Sequence, residues 1–256
     1  MKPGADQAKA YANANTARLY QSLSERGVVS YLATTQGDAT GLDTWLAAGN
    51  DLYLNRTETN QFGTPKFKSI FQQMESACPP AVPFTAYANA DILFDESLLE
   101  TLAALRAWLA KGTSTKSVLA VGQRWNHVVE GRISASDVKR VKPNPFQTNA
   151  QDYFITTRGF FDWGQLPDFV IARLGYDNSL VDWAHHRGAL VDATETLRAL
   201  HQTVADGNWA GRGKHFPDRE YNAQLPGVVW DHGKTTDAQY KTVRKGGGEV
   251  ISVVVP

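Results

Sequence analysis

Apolar residues along the chain fall into two patterns. Short β-branched or aromatic runs, closed by Gly, Pro, Asn or Asp, alternate with stretches whose apolar positions recur every three or four residues. The runs "VVSYLAT" (28–34), "DLYLNR" (51–56), "SVLAVGQRWN" (117–126), "DYFITT" (152–157) and "ALVDAT" (189–194) predict strands. "FTAYANADILFDESLLETLAAL" (84–105) predicts a strand, a polar turn and a helix. Phe67, Ile70, Phe71 and Met74 lie at helical spacing and predict a helix over Phe67–Ala77, with Pro65 suited to its first turn. Ser97 is a candidate cap for "LLETLAALRAWLAKG", which Gly112 would end. Shorter helices are expected over "LDTWLAAGN" and "DNSLVDWAHHRG", whereas "CPPAVP" cannot be helix interior. The segment "ISASDVKRVKPNPFQTNA" (133–150) reads as a loop, and the last fifty residues as irregular until the apolar "VISVVV".

Strands alternating with helices predict an α/β fold with a mixed, mostly parallel sheet and flanking helices in a single domain. Residues 1–26 read as an arm or amphipathic helix, residues 27–222 as the main domain, and residues 223–256 as an extension packed on it. The 256 residues, 42% hydrophobic and 11% aromatic, suffice for one sizeable core. Lys+Arg and Asp+Glu both number 26, which argues against a strongly basic nucleic-acid binder but leaves local patches open. Cys78 is the sole cysteine, so an internal disulfide is impossible and a reducing interior is the expected home. With no apolar leader and no run near the roughly 18 residues of a membrane span, a cytoplasmic or nuclear protein is expected, neither secreted nor in a membrane.

The polar turn Asn89-Ala90-Asp91 follows a strand, the place where ligands sit in open α/β sheets. Carboxylate oxygens there suit Mg²⁺ or Mn²⁺, which carry the charge of a diphosphate. The plain alternative is a strand-end turn, which Asn and Asp also favour. A second group lies between residues 151 and 202: Asp152, Arg173, Asp177, Asn178, Asp192 and His201. A carboxylate in reach of an attacking hydroxyl is the usual general base, and Asp152 and Asp177 are the candidates. Asp177 opens a helix and is equally placed to cap it. His201 is a candidate metal ligand, or a hydrogen-bonded core histidine. Arg124 and Arg173 are candidate clamps for a diphosphate, or ordinary ion-pair partners. Phe160, Phe161, Trp163 and Phe169 fit either a wall for a sugar or base, or plain core.

The order of "FGTPKFKSIF", "YANADILF", "VGQRWN", "DYFITTRGFF", "PDFVIARLGYDNSLVDWAHHRG", "VDATE…ALHQ" and "REYN" resembles the glycosyltransferases of modified DNA bases, the family of the kinetoplastid base J glucosyltransferase and its phage and bacterial relatives. The resemblance spans roughly residues 28–222. It implies a GT-A, Rossmann-like fold and an inverting, metal-dependent transfer of glucose from a UDP-sugar to a hydroxymethylpyrimidine in DNA. It implies Asp91 and His201 as ligands of Mn²⁺ or Mg²⁺, Asn89 beside them, Asp177 as the base, and Thr34 near the nucleotide base. Asn89 stands where the D-x-D motif has its first Asp. For a DNA acceptor, Lys139, Arg140 and Lys142, and Arg212, Lys214, His215 and Arg219, are candidate phosphate contacts. A glycan, lipid or protein acceptor, and a non-catalytic nucleotide-sugar or nucleic-acid binding module, are the alternatives.

Overall fold

The computed structural model describes residues 5–35, 41–112, 115–142, 144–203, 216–245 and 250–256. The chain begins with α1 (Ala5–Ser24), β1 (Leu32–Thr35), α2 (Leu42–Ala47), β2 (Tyr53–Thr57) and α3 (Phe67–Ala77). The middle holds β3 (Phe84–Ala88), β4 (Ile92–Phe94), α4 (Ser97–Ala110), β5 (Leu119–Val121), β6 (Trp125–Val128) and α5 (Ala135–Arg140). Then come β7 (Tyr153–Thr157), α6 (Tyr176–His186), β8 (Leu190–Asp192), β9 (Ala199–Thr203), β10 (Tyr240–Lys245) and β11 (Val250–Val254). The fold is mixed α/β, with parallel and antiparallel pairs and flanking helices.

The main sheet has the order β11-β10-β8-β5-β7-β3. β3, β5, β8 and β10 run one way, and β7 and β11 run against them. Only two of its five neighbour pairs are therefore parallel, which corrects the expectation of a mostly parallel sheet. The reason is β7, whose run "YFITT" inserts antiparallel between β3 and β5. A second sheet, β4-β9-β6, lies beyond the ends of β3 and β5, and β1 and β2 form a parallel pair of their own.

Leu119, Ala120 and Val121 of β5 are all fully buried, as a strand covered on both faces requires. Phe67 and Phe71 of α3 pack on Phe154, Phe161 and Tyr176 on one side of the sheet. Leu98 and Leu105 of α4 pack with Ile155 and Val191 on another core. Phe160, Phe161 and Phe169 are buried core residues, and the partly buried Trp163 packs against them. Helix α1 belongs to the same body: Leu19 packs with Leu93, Trp125 and Leu200, and the Thr16 hydroxyl donates to the Ala90 carbonyl at 2.7 Å.

Several local expectations are corrected. The run 117–126 breaks after Val121 into two strands of different sheets, and at Gly122 the Tyr153 hydroxyl and the Thr194 backbone leave no room for a Cβ. The first strand starts at Leu32 and not at Val28; Val29 is exposed. Ser97 is the first residue of α4, whose N-cap is Glu96, and Asp95 Oδ1 accepts the Ser97 N–H at 2.9 Å. Within the expected loop 133–150, a capping box between Ser134 and Asp137 starts α5. The C-terminal region carries an antiparallel pair, β10 and β11, where only a final apolar run was expected. Among the described residues no helix is long and apolar enough to cross a membrane.

Candidate functional site

The register of β3 against β7 pairs Ala88 with Tyr153, which sets Asn89 against Asp152 at the carboxyl end of β3. The Asn89 N–H donates to the Asp152 carbonyl at 2.9 Å, and its side-chain amide donates to Asp152 Oδ1 at 2.8 Å. The Tyr87 hydroxyl donates to Asn89 Oδ1 at 2.9 Å. Asp152 Oδ2 forms an ion pair with Arg124, which leaves the sheet just after β5. The Arg124 guanidinium also donates to Asn126 Oδ1 at 3.2 Å and lies 4.7 Å from the centre of the Phe146 ring. Asp152 and Arg124 are both buried.

Asp91 ends the turn, which the Ile92 N–H closes on the Asn89 carbonyl at 3.0 Å. The second sheet supplies its partner. β9 pairs Ile92 with His201, and the Gln202 N–H donates to the Asp91 carbonyl at 2.9 Å. His201 Nε2 then stands 3.1 Å from Asp91 Oδ2. The proton between them belongs on the imidazole, since an ionised carboxylate only accepts. Two atoms of this pair are buried without a hydrogen-bond partner: Asp91 Oδ1 and His201 Nδ1. The Asp91 side chain as a whole is 42% exposed. A carboxylate and an imidazole are ligand types a divalent ion takes, but both unpartnered atoms are buried, and an ion held by Asp91 and His201 would have to replace the present Nε2–Oδ2 contact and its proton. Asn89 adds no free ligand atom, because both ends of its amide are engaged.

Asp177 lies in the first turn of α6, whose N-cap is Gly175 with a left-handed φ of 84°. Asp177 is therefore not the cap. Burial pushes its carboxyl up to about 6, against the backbone N–H groups of residues 178, 177 and 151 and the positive charge of Arg124. Arg124 joins the two acids. Burial lowers its guanidinium from the ordinary value, while the charges of Asp91 and Asp177 push it back. The phenol of Tyr176 is buried among the same groups; burial first, then Tyr87, Asp177 and Asp91, raise it well above its usual range. The fold thus brings together Asn89, Asp91, Arg124, Asp152, Asp177 and His201.

The other expected residues go elsewhere. The Thr34 hydroxyl is buried and donates to the Leu54 carbonyl at 3.1 Å. Arg173 pairs through Nε with Asp218 Oδ1 at 2.6 Å, donates to Thr64 Oγ1 at 3.0 Å, and stacks over Phe216 at 4.4 Å. Asp218 also accepts from Asn60 at 3.0 Å and Thr64 at 2.5 Å. Burial raises the Asp218 carboxyl, but the bonds from Thr64, Asn60 and Arg173 outweigh it and hold the group at about 2. Arg173 is thus occupied in tying the 59–65 loop to residues 216–219. In the first basic cluster, Lys139 pairs with Glu96 at 2.5 Å and Arg140 faces Asp137 at 3.6 Å. Of the second, Arg212, Lys214 and His215 lie outside the described residues, and Arg219 faces Glu220 at 3.7 Å.

A further group escaped the sequence reading. Asp182, His186 and His232 bring one ligand atom each to within 4.8 Å of one another and can hold a metal ion. Asp182 and His186 are one turn apart on α6, so "DWAHH" carried half the signal; His232 comes from a distant segment that no spacing rule connects to it.

Comparison of the chain with protein-family models, with curated proteins and with solved structures finds no match.

Proposed function

We propose that the chain is a GT-A-fold, inverting glycosyltransferase that moves a sugar, glucose in the simplest case, from a UDP-sugar to an acceptor hydroxyl. The observation that carries this is the convergence at the carboxyl end of β3 and β5. Asp91 and His201, a buried guanidinium and a carboxyl pushed up to about 6 meet there. Asp91 and His201 are the residues to hold Mn²⁺ or Mg²⁺, which when bound supplies Lewis-acid stabilisation of the departing diphosphate. Asp177 takes the proton from the acceptor hydroxyl. The acceptor oxygen then bonds to the anomeric carbon as its bond to the diphosphate oxygen breaks, and UDP leaves. A carboxyl near 6 is a stronger base than an ordinary aspartate and is still ionised at neutral pH.

Asp152 supports the site without being its base. Asn89 holds one of its carboxylate oxygens by a hydrogen bond, and the other is charge-paired with Arg124. It fixes Arg124, which holds positive charge between Asp91 and Asp177. The two arms of the site come from different strands, so their spacing is held by sheet hydrogen bonds and not by a loop.

A hydroxymethylated pyrimidine in DNA is the acceptor the resemblance suggests. The ion pairs of Lys139 and Arg140 with acidic neighbours favour the second reading, an acceptor other than DNA. Incubation with UDP-sugars, Mn²⁺ and duplexes carrying hydroxymethyluracil or hydroxymethylcytosine separates them. Mass gain of the DNA supports the first reading. UDP release without DNA modification supports the second. No UDP release with any donor or metal overturns the enzyme.

A further inference from the structure

A different part of α6 carries a second cluster. Asp182 is 5% exposed, and its charge partners are two imidazoles rather than an Arg or Lys. His186 Nδ1 stands 3.3 Å from Asp182 Oδ2, and His232 Nδ1 stands 3.6 Å from Asp182 Oδ1. Ligand atoms about 2.0–2.1 Å from a tetrahedral ion lie about 3.3 Å from one another, so these separations already approach a tetrahedral edge.

The surroundings hold the ligands as supporting residues of a metal site do. The His232 N–H donates to Asp182 Oδ1 at 2.8 Å and fixes the carboxylate. The His185 ring stacks on His232 with centres 4.2 Å apart and planes 1° from parallel, while its Nδ1 lies 2.6 Å from the Asp237 carbonyl. The segment bearing His232 is seated on the start of α6. Trp230 covers Gly175 and the Asn178 side chain covers Gly233, and neither glycine has room for a Cβ. Asn178 also donates to the Gly233 carbonyl at 2.8 Å. An independent feature adjoins the cluster. Asp182 and His186 line a cavity of about 280 Å³ together with Ser179, whose buried hydroxyl has no hydrogen-bond partner.

We propose that Asp182, His186 and His232 form a binding site for a Zn²⁺-class divalent ion that clips the 227–233 segment onto α6. Two imidazoles and one carboxylate select Zn²⁺, Co²⁺ or Ni²⁺ over Mg²⁺ and Ca²⁺, which prefer all-oxygen sets. The ion replaces the present contact of His186 Nδ1 with the Asp182 carbonyl at 3.0 Å. Three protein ligands leave a fourth position for water or a small anion, and the bordering cavity with the Ser179 hydroxyl accommodates it. The site does not rest on the glycosyl-transfer reading and shares no residue with it.

The test is Zn²⁺ titration of the chelator-treated full chain, followed by calorimetry and thermal unfolding, with Co²⁺ as a spectroscopic substitute. One tight equivalent of Zn²⁺, a rise in Tm and the visible bands of tetrahedral Co²⁺ are expected. His186→Ala and His232→Ala each weaken binding by more than the roughly 10–100-fold that loss of a supporting residue costs, and His185→Ala falls within that range. Asp91→Ala leaves the Zn²⁺ site unchanged. Circular dichroism of the metal-free variants separates lost binding from lost folding, and both imidazoles are half-exposed, so neither variant removes core. Absence of a tight equivalent, or one that survives the His186→Ala/His232→Ala double variant, overturns the proposal.

Discussion

The side-chain amide of Asn89 donates to Asp152 Oδ1 across 2.8 Å, and the same amide's oxygen accepts the Tyr87 hydroxyl. This relationship explains why an amide stands at a position where a metal-binding turn would carry a second acid. A carboxylate at 89 would face the Asp152 carboxylate with no donor between them. Asn89→Asp is expected to destabilise the chain by roughly 1–3 kcal/mol at pH 8, the cost of losing a hydrogen bond to a charged group and adding a like charge. The loss should shrink at pH 4–5 as the added acid takes a proton. Urea unfolding at the two pH values measures it; an equal cost at both rejects the charge explanation.

Arg124 and Asp152 form a buried pair, so removing one partner strands the other. Arg124→Ala should cost roughly 3–5 kcal/mol, and adding Asp152→Asn should recover part of that. Denaturant midpoints of the wild type, both single variants and the double variant give the coupling. Additive losses would show that the pair acts as two independent packing groups.

Asp177 links stability and activity with opposite signs. Its folded carboxyl keeps a proton up to about 6, whereas an unfolded aspartate releases it near the ordinary value of 3.8. The folded state therefore binds more protons between these values, and the stability this group contributes falls as pH rises through the window. Asp177→Asn should remove that dependence and stabilise the chain at pH 8 by roughly 1–3 kcal/mol relative to pH 4. Sugar transfer should rise with pH through about 6 in the wild type and drop by roughly 10²–10⁴-fold in the variant. A variant with full transfer activity excludes Asp177 as the base.

Asp218 behaves the other way. Its folded carboxyl sits at about 2, below the ordinary 3.8, so its stabilisation is present above pH 4 and is lost as pH falls toward 2. Asp218→Asn should lower stability at pH 7 by roughly 2–4 kcal/mol, through weakened bonds to Arg173, Thr64 and Asn60, and by much less at pH 2. Thermal unfolding across this pH range reads the difference.

Much of the frame was legible because local pattern and tertiary role agree in it. The helix over Phe67–Ala77 keeps its expected bounds, since its apolar spacing is the face that meets the sheet. "FTAYA" and "YFITT" are strands as expected, and their register delivers Asn89 to Asp152. The convergence of Asp91 with His201, 110 positions apart, follows from a second sheet that no local pattern announces; it depends on β9 pairing with the three-residue β4. Arg173 shows the converse. Its sequence surroundings allow a ligand clamp, and only the placement of Asp218, forty-five residues on, shows where its charge is used. One apparent strand is two, and the glycine at its break is set by Tyr153 and Thr194, contacts invisible in the run itself.

Asp91 and His201, as proposed, bind a metal–nucleotide diphosphate beside Asp177. Calorimetric titration of UDP into the full chain, with and without Mn²⁺, tests this most directly. The expected result is Mn²⁺-dependent binding that Asp91→Ala and His201→Ala abolish and Asp177→Asn retains. UDP binding of equal strength without Mn²⁺, or no UDP binding by the wild-type chain in its presence, would contradict the claim.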